Sequence, residues 1–268
     1  MGELEKINKY SLEIEGLLRL KTPPIGIKFI KSEDEIPEHA IRPKRDKGIH
    51  LAQCQAFAMS RREGETVAIL KEDQYCWAPL VAYGLASPDV IDAGINEAPD
   101  SVKGILKWTR ELADALPSLP TGEYIGILSA PLSTAQFIPD VILIYFNNGQ
   151  LRSALMALKF ARGEYHVESD IEPFDSCVYS VVPVFLNGNY RVTFPDPGEY
   201  ERALTDEDKV IFSMPVKRLD EFIDAVRQVE RMGQGYTGLK KWMQPDFKRP
   251  EFYDIIFKNA GLDVNSKT

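Results

Sequence analysis

Val141-Ile142-Leu143-Ile144-Tyr145-Phe146 runs into Asn147-Asn148-Gly149-Gln150 and then into Leu151 to Arg162, and this stretch decides the fold. Six apolar residues, partly β-branched and aromatic, have the length and composition of a core strand. The Asn-Asn-Gly-Gln segment reads as a tight turn, and the residues beyond it as a helix. Upstream, Ile25 to Ile30, Glu65 to Leu70 and Tyr124 to Leu128 read as further strands. Downstream, Tyr190 to Phe194 and Lys209 to Ser213 do the same.

Helices are predicted over Leu4 to Leu20, Ile49 to Arg62, Trp77 to Ala86 and Ser101 to Leu116, the last with Ser101 as its cap. Leu219, Phe222, Ile223, Val226 and Val229 mark another, closed by Gly233. Lys31 to Gly48 reads as a polar loop. Strands and helices intermix without a strict βαβ rhythm. This predicts an α+β fold, a mixed β-sheet core with helices packed on it, in a single globular domain over 1–268. Trp242, Phe247, Phe252 and Tyr253 suggest a C-terminal helical extension over 233–268.

Composition narrows the classes of function. A net charge of −8 over 268 residues argues against nucleic acid or an anionic membrane as the main partner. The N-terminus has no apolar signal segment, and Lys6 stands where N-myristoylation needs Ser or Thr. No apolar run is long enough to span a membrane. Three dispersed cysteines in such a chain point to a reducing cytoplasm.

Those three, Cys54, Cys76 and Cys177, are the reactive residues that stand out, and they admit three readings. As buried free thiols they pack as small hydrophobes. As ligands they converge on a soft metal or an iron–sulfur cluster, with His50, four residues before Cys54 on the expected helix, as a further donor. As a nucleophile, one of them needs a base among His39, His50 and His166. None of the spacings is a recognised motif.

Asn147, Asn148, Gly149 and Gln150 form the second candidate, a cofactor- or ligand-binding turn. A Gly-containing turn feeding a helix presents backbone N–H groups to an anion or polar ligand, although ordinary turn chemistry needs the same residues. Asp140 reads as a strand-edge residue, and Arg61 and Arg62 as a charged helix end. Glu199, Glu201 and Asp206-Glu207-Asp208 read as solvated faces. Trp77, Trp108 and Trp242 read as core.

The order of these segments resembles the DUF169 family, uncharacterised prokaryotic proteins frequent in archaea and anaerobes. The likeness rests on Pro24-Ile25-Gly26-Ile27-Lys28-Phe29, on Cys54 to Thr66, on Glu72 to Cys76, and on Phe137 to Val141 leading to Phe146 to Gln150. Ser176-Cys177 and Phe212-Ser213-Met214-Pro215 complete it, over roughly residues 20–232. The resemblance implies a joint role for cysteines at positions like Cys54, Cys76 and Cys177. It also implies a further family cysteine in a segment like Phe194 to Gly198, where this chain has Asp196, itself a metal-binding residue type. The expected function is therefore binding of a metal centre or iron–sulfur cluster, with a redox role. The alternative is an enzyme or ligand-binding protein for a small organic molecule, its cysteines being structural. A homo-oligomer or a redox partner is compatible with either.

Overall fold

The computed structural model describes residues 2–162, 166–170, 174–236 and 251–261. The chain divides into two compact units, Met1–Gly238 and Leu239–Thr268. The second contains the Glu251–Asn259 helix. Trp242 and Phe247, assigned from sequence to the C-terminal helical extension, lie outside the described residues.

The first unit is an α+β domain built on one seven-stranded mixed sheet. Its strands are β1 (Ile25–Ile30), β2 (Val67–Leu70), β3 (Gly126–Pro131), β4 (Val141–Asn147), β5 (Val167–Asp170), β6 (Tyr190–Thr193) and β7 (Lys209–Pro215). They lie in the order β2-β3-β1-β4-β7-β6-β5. Neighbours are antiparallel except β5 and β6, which run parallel. On the β2 side, Ile41 pairs with Val67 beyond the strand, whereas β5 is a four-residue edge strand.

β4 shows why the sheet is central. Side chains alternate across a strand, so Val141, Leu143 and Tyr145 face one core while Ile142, Ile144 and Phe146 face the other. The second core is roofed by three long helices, Glu3–Leu18, Asn148–Arg162 and Leu219–Arg231. They contribute Ile14 and Leu18, Ala157 and Leu158, and Phe222 and Ile223. Complete burial of an aromatic such as Phe222 is worth about 2–3 kcal/mol. The first core is covered by short helices, including Gln53–Ala58, Trp77–Ala82, Ser176–Tyr179 and Val182–Asn187. All three cysteines lie on or beside these short elements.

Several elements differ from the sequence reading. The helix carrying Cys54 begins at Gln53 rather than Ile49, because Leu51 is engaged elsewhere. Its N–H donates to Asp73 O at 2.9 Å and its carbonyl accepts from Tyr75 N at 3.1 Å. After Ala58 this helix widens into a π turn, Met59–Glu63, ended by Gly64 at φ 82°, a left-handed conformation that favours glycine. The helix expected from Ser101 runs Asp100–Ala115; Pro99 holds the cap position, and Ser101 does not cap it. Trp108 is exposed on that helix, edge-on to Phe174, and is not core. The Asp89–Glu97 helix and β5 went unanticipated. The polar loop over 31–48 contains a short Pro43–Lys47 helix, fastened where Asp73 accepts from Arg42 Nε at 3.2 Å and Lys44 N at 2.8 Å.

Candidate functional site

The turn after β6 organises the thiols. Asp196 is followed by Pro197 at the first position of the Pro197–Glu201 helix, where a fixed φ and a missing N–H are harmless. Its Oδ1 accepts Glu199 N at 2.9 Å and caps that helix. Its Oδ2 accepts Ser176 N at 2.8 Å and so fixes the turn carrying Cys177. Next to it, the Cys54 thiol donates to Gly198 O at 3.5 Å. A Cβ on Gly198 would stand 2.3 Å from the Arg202 guanidinium and 3.0 Å from Asp196 Oδ1, so a side chain there would displace Arg202.

Cys76 arrives by a separate route. The pairing of Leu51 with Gln74 draws the Lys71–Asp73 turn onto the start of the Gln53–Ala58 helix. Cys76 then packs into a small apolar cluster with Ala52, Cys54 and Ala203. Arg202 carries its charge near the Cys54 thiol and lies over the exposed Tyr75 ring, 5.9 Å from its centroid.

The structure thus gathers Cys54, Cys76, Cys177 and Asp196 into one neighbourhood from four separate segments. Their electrostatics record the proximity. Burial, then the charges of Glu199, Asp196 and Cys76, push the Cys54 thiol up to about 12, with Arg202 opposing. Burial raises Cys76, again against Arg202. Burial drives Cys177 well above the usual thiol range, helped by Asp196 and by both other thiols. At neutral pH all three are protonated and weakly nucleophilic. Among the described residues, no group of three or more His, Cys, Asp or Glu stands ready to hold a metal ion.

His50 is not part of this gathering. It precedes the helix instead of sharing a face with Cys54, and it is exposed, its Nε2 3.2 Å from Lys44 Nζ. His39 meets Thr66 Oγ1 at 3.2 Å, and the exposed His166 lies 3.8 Å from Glu168. No histidine is positioned as a base for the thiols among these contacts.

The 147–150 segment turns its polar groups on itself and on the N-terminal helix. Helix starts at Asn148 directly at the strand end. Gln150 N donates to Asn147 Oδ1 and Asn147 N to Gln150 Oε1, both at 2.8 Å. The buried Gln150 amide nitrogen donates to Leu18 O at 3.1 Å and Arg19 O at 3.0 Å, closing the C-terminus of the first helix. A Cβ on Gly149 would come 3.3 Å from the Tyr236 ring. The Asn147 and Gln150 side chains are thus engaged within the fold.

Sequence reasoning missed a buried polar cluster beside the thiols. Glu199, read as solvated, is fully buried: its carboxylate accepts Tyr145 OH at 2.8 Å and Thr205 Oγ1 at 2.6 Å. Arg61, read as a charged helix end, is also buried, 3.9 Å from Glu199 and 4.2 Å above the Tyr145 ring. Burial raises the Glu199 pKa. The available signal was Asp196-Pro197-Gly198-Glu199, a helix-start pattern with an acid at its third helical position.

A family model, DUF169, described as Uncharacterised ArCR, matches residues 13–225. Uncharacterized protein MJ0308 of Methanocaldococcus jannaschii is 20% identical over 238 residues, spanning 86% of this chain and 97% of that protein. No solved structure matches.

Proposed function

The chain belongs to the DUF169 family, and we propose that it binds a soft metal centre or iron–sulfur cluster through Cys54, Cys76 and Cys177, with Asp196 as the oxygen donor beside them. One observation supports this reading: the chain's three cysteines, distant in sequence, lie on segments tied to the start of the Pro197–Glu201 helix, where the Cys54 thiol donates to Gly198 O, Cys76 packs with Cys54, and Asp196 accepts the N–H of Ser176 next to Cys177. Thiolates suit soft and borderline metals, and a cation entering this buried site replaces the thiol protons. Since the donors do not stand in ligating positions as they are, side-chain rotation accompanies that loss of protons. Nucleophilic catalysis fits less well, because the thiols are protonated and the histidines lie elsewhere. A redox role and a reducing cytoplasmic setting accord with such a centre.

The competing reading is a ligand-binding protein whose cysteines only pack, favoured by the apolar surroundings of Cys54 and Cys76. Anaerobic purification from iron-supplied cells separates the two. A coloured protein with near-stoichiometric iron and acid-labile sulfide, or one zinc per chain, supports the centre, and joint replacement of the three cysteines by serine should abolish it. A colourless, metal-free protein that takes up neither iron nor zinc would leave only packing thiols.

A further inference from the structure

We infer that the cleft between the Met59–Glu63 π turn and the residues after the Pro197–Glu201 helix is a binding site for a small aliphatic carboxylate, held by Arg62 and Arg202. The cleft has a volume of about 230 Å³ and is bordered by both arginines. Neither forms an ion pair among the described residues, although the chain carries 40 acidic residues against 32 basic ones. Glu63 also borders the cleft, so its ionised walls carry one net positive charge.

The arginines are held in place before any ligand arrives. Arg62 donates through Nη1 to Leu204 O at 2.5 Å, leaving its other N–H groups available. Arg202 is pinned against Gly198, the Cys54 sulfur and the Tyr75 ring. A fork of N–H donors fixed in this way matches a carboxylate, and little freedom is lost on binding. Gln55, whose amide oxygen accepts Ala52 N, also lines the cleft, and the other walls are apolar: Leu51, Ala58, Met59, Ala203 and Leu204. Such a wall favours a ligand with a hydrocarbon body over a bare inorganic anion.

This site does not depend on the thiols holding a metal, so the test uses metal-free full-length protein. Calorimetry and saturation-transfer NMR are run with acetate, butyrate, hexanoate and inorganic phosphate. One saturable site is expected, tightening by about fourfold per added methylene from acetate to hexanoate. Arg62→Gln and Arg202→Gln should each weaken hexanoate binding by about tenfold with an unchanged circular dichroism spectrum. Arg202→Lys should recover part of the loss, and Arg152→Gln, on an exposed arginine of the Asn148–Arg162 helix, should change nothing. Absence of saturable binding overturns the inference. So does phosphate binding as tightly as hexanoate, or unchanged affinity in both glutamine variants.

Discussion

Asp196 ties Ser176 to its own helix: one carboxylate oxygen accepts Ser176 N at 2.8 Å while the other accepts Glu199 N at 2.9 Å. The same side chain therefore caps one helix and positions the turn that carries Cys177. Asp196→Ala removes both bonds and should cost about 2–3 kcal/mol. Urea unfolding should show a lower midpoint, and metal uptake should weaken with it. Asp196→Asn keeps an acceptor for only one of the two N–H groups and should fall between the two.

Glu199 is the only carboxylate within ion-pair distance of the buried Arg61 among the described residues. Glu199→Ala leaves a buried guanidinium facing Tyr145 and Thr205, and breaking such a pair from one side costs about 3–5 kcal/mol. Thermal unfolding should detect a large drop. A Glu199→Gln variant, which keeps an acceptor oxygen for one of Tyr145 and Thr205, should lose less.

Protonated thiols set the pH behaviour. The folded state raises Cys54 from its ordinary 9.0 to about 12 and raises Cys177 as well. Folded protein therefore holds these protons more tightly than unfolded protein does. Their contribution to stability is complete below about pH 9 and is lost as pH climbs towards 12. Denaturant titrations across that window should show stability falling, and the slope should flatten in Cys54→Ser. A slope that persists unchanged in this variant would assign the loss to other groups.

Accessibility predicts an order of alkylation. Cys76 is half-buried, while Cys54 and Cys177 are buried. With iodoacetamide at pH 8, mass spectrometry should find Cys76 modified first and the other two only as the protein opens. Bound zinc should protect all three on the proposed reading. Equal rates for the three thiols would contradict the packing described.

Gln150 offers a control for the turn first considered as a ligand site. Gln150→Ala removes its bonds to Leu18 O and Arg19 O and its reciprocal bond with Asn147, costing about 2–3 kcal/mol. Metal uptake and carboxylate binding per folded molecule should stay unchanged. A selective loss of binding at full stability would return this turn to the functional site.

The sheet was legible where strand chemistry is local. β4 opens with a continuous apolar run and β1 is apolar but for Gly26 and Lys28, and their predicted bounds lie within a residue of those observed. The long helices behind them were legible from apolar spacing. What escaped depends on partners distant in sequence. Leu51 leaves the helix because Gln74 and Asp73 claim it, and nothing in Ile49-His50-Leu51 announces that pairing. Glu199 and Arg61 look like surface charges until the fold sets them against Tyr145. β5, Val167-Glu168-Ser169-Asp170, lacks an apolar pattern and becomes a strand only beside β6. The three cysteines stood out in the sequence as the reactive residues. Their gathering follows from Asp196 and the Leu51 pairing, neither of which spacing reveals.

The two rims of the sheet limit what can polymerise on it. Ile41 already occupies hydrogen-bonding positions beside β2, with Ile41 N donating to Thr66 O and Ala68 N to Ile41 O. At the opposite rim β5 is short, and its Glu168 carboxylate is clasped by Arg191 and Asn189. Neither rim offers the long, bare, apolar ladder on which a stray chain would template, so this fold guards itself against runaway cross-β growth.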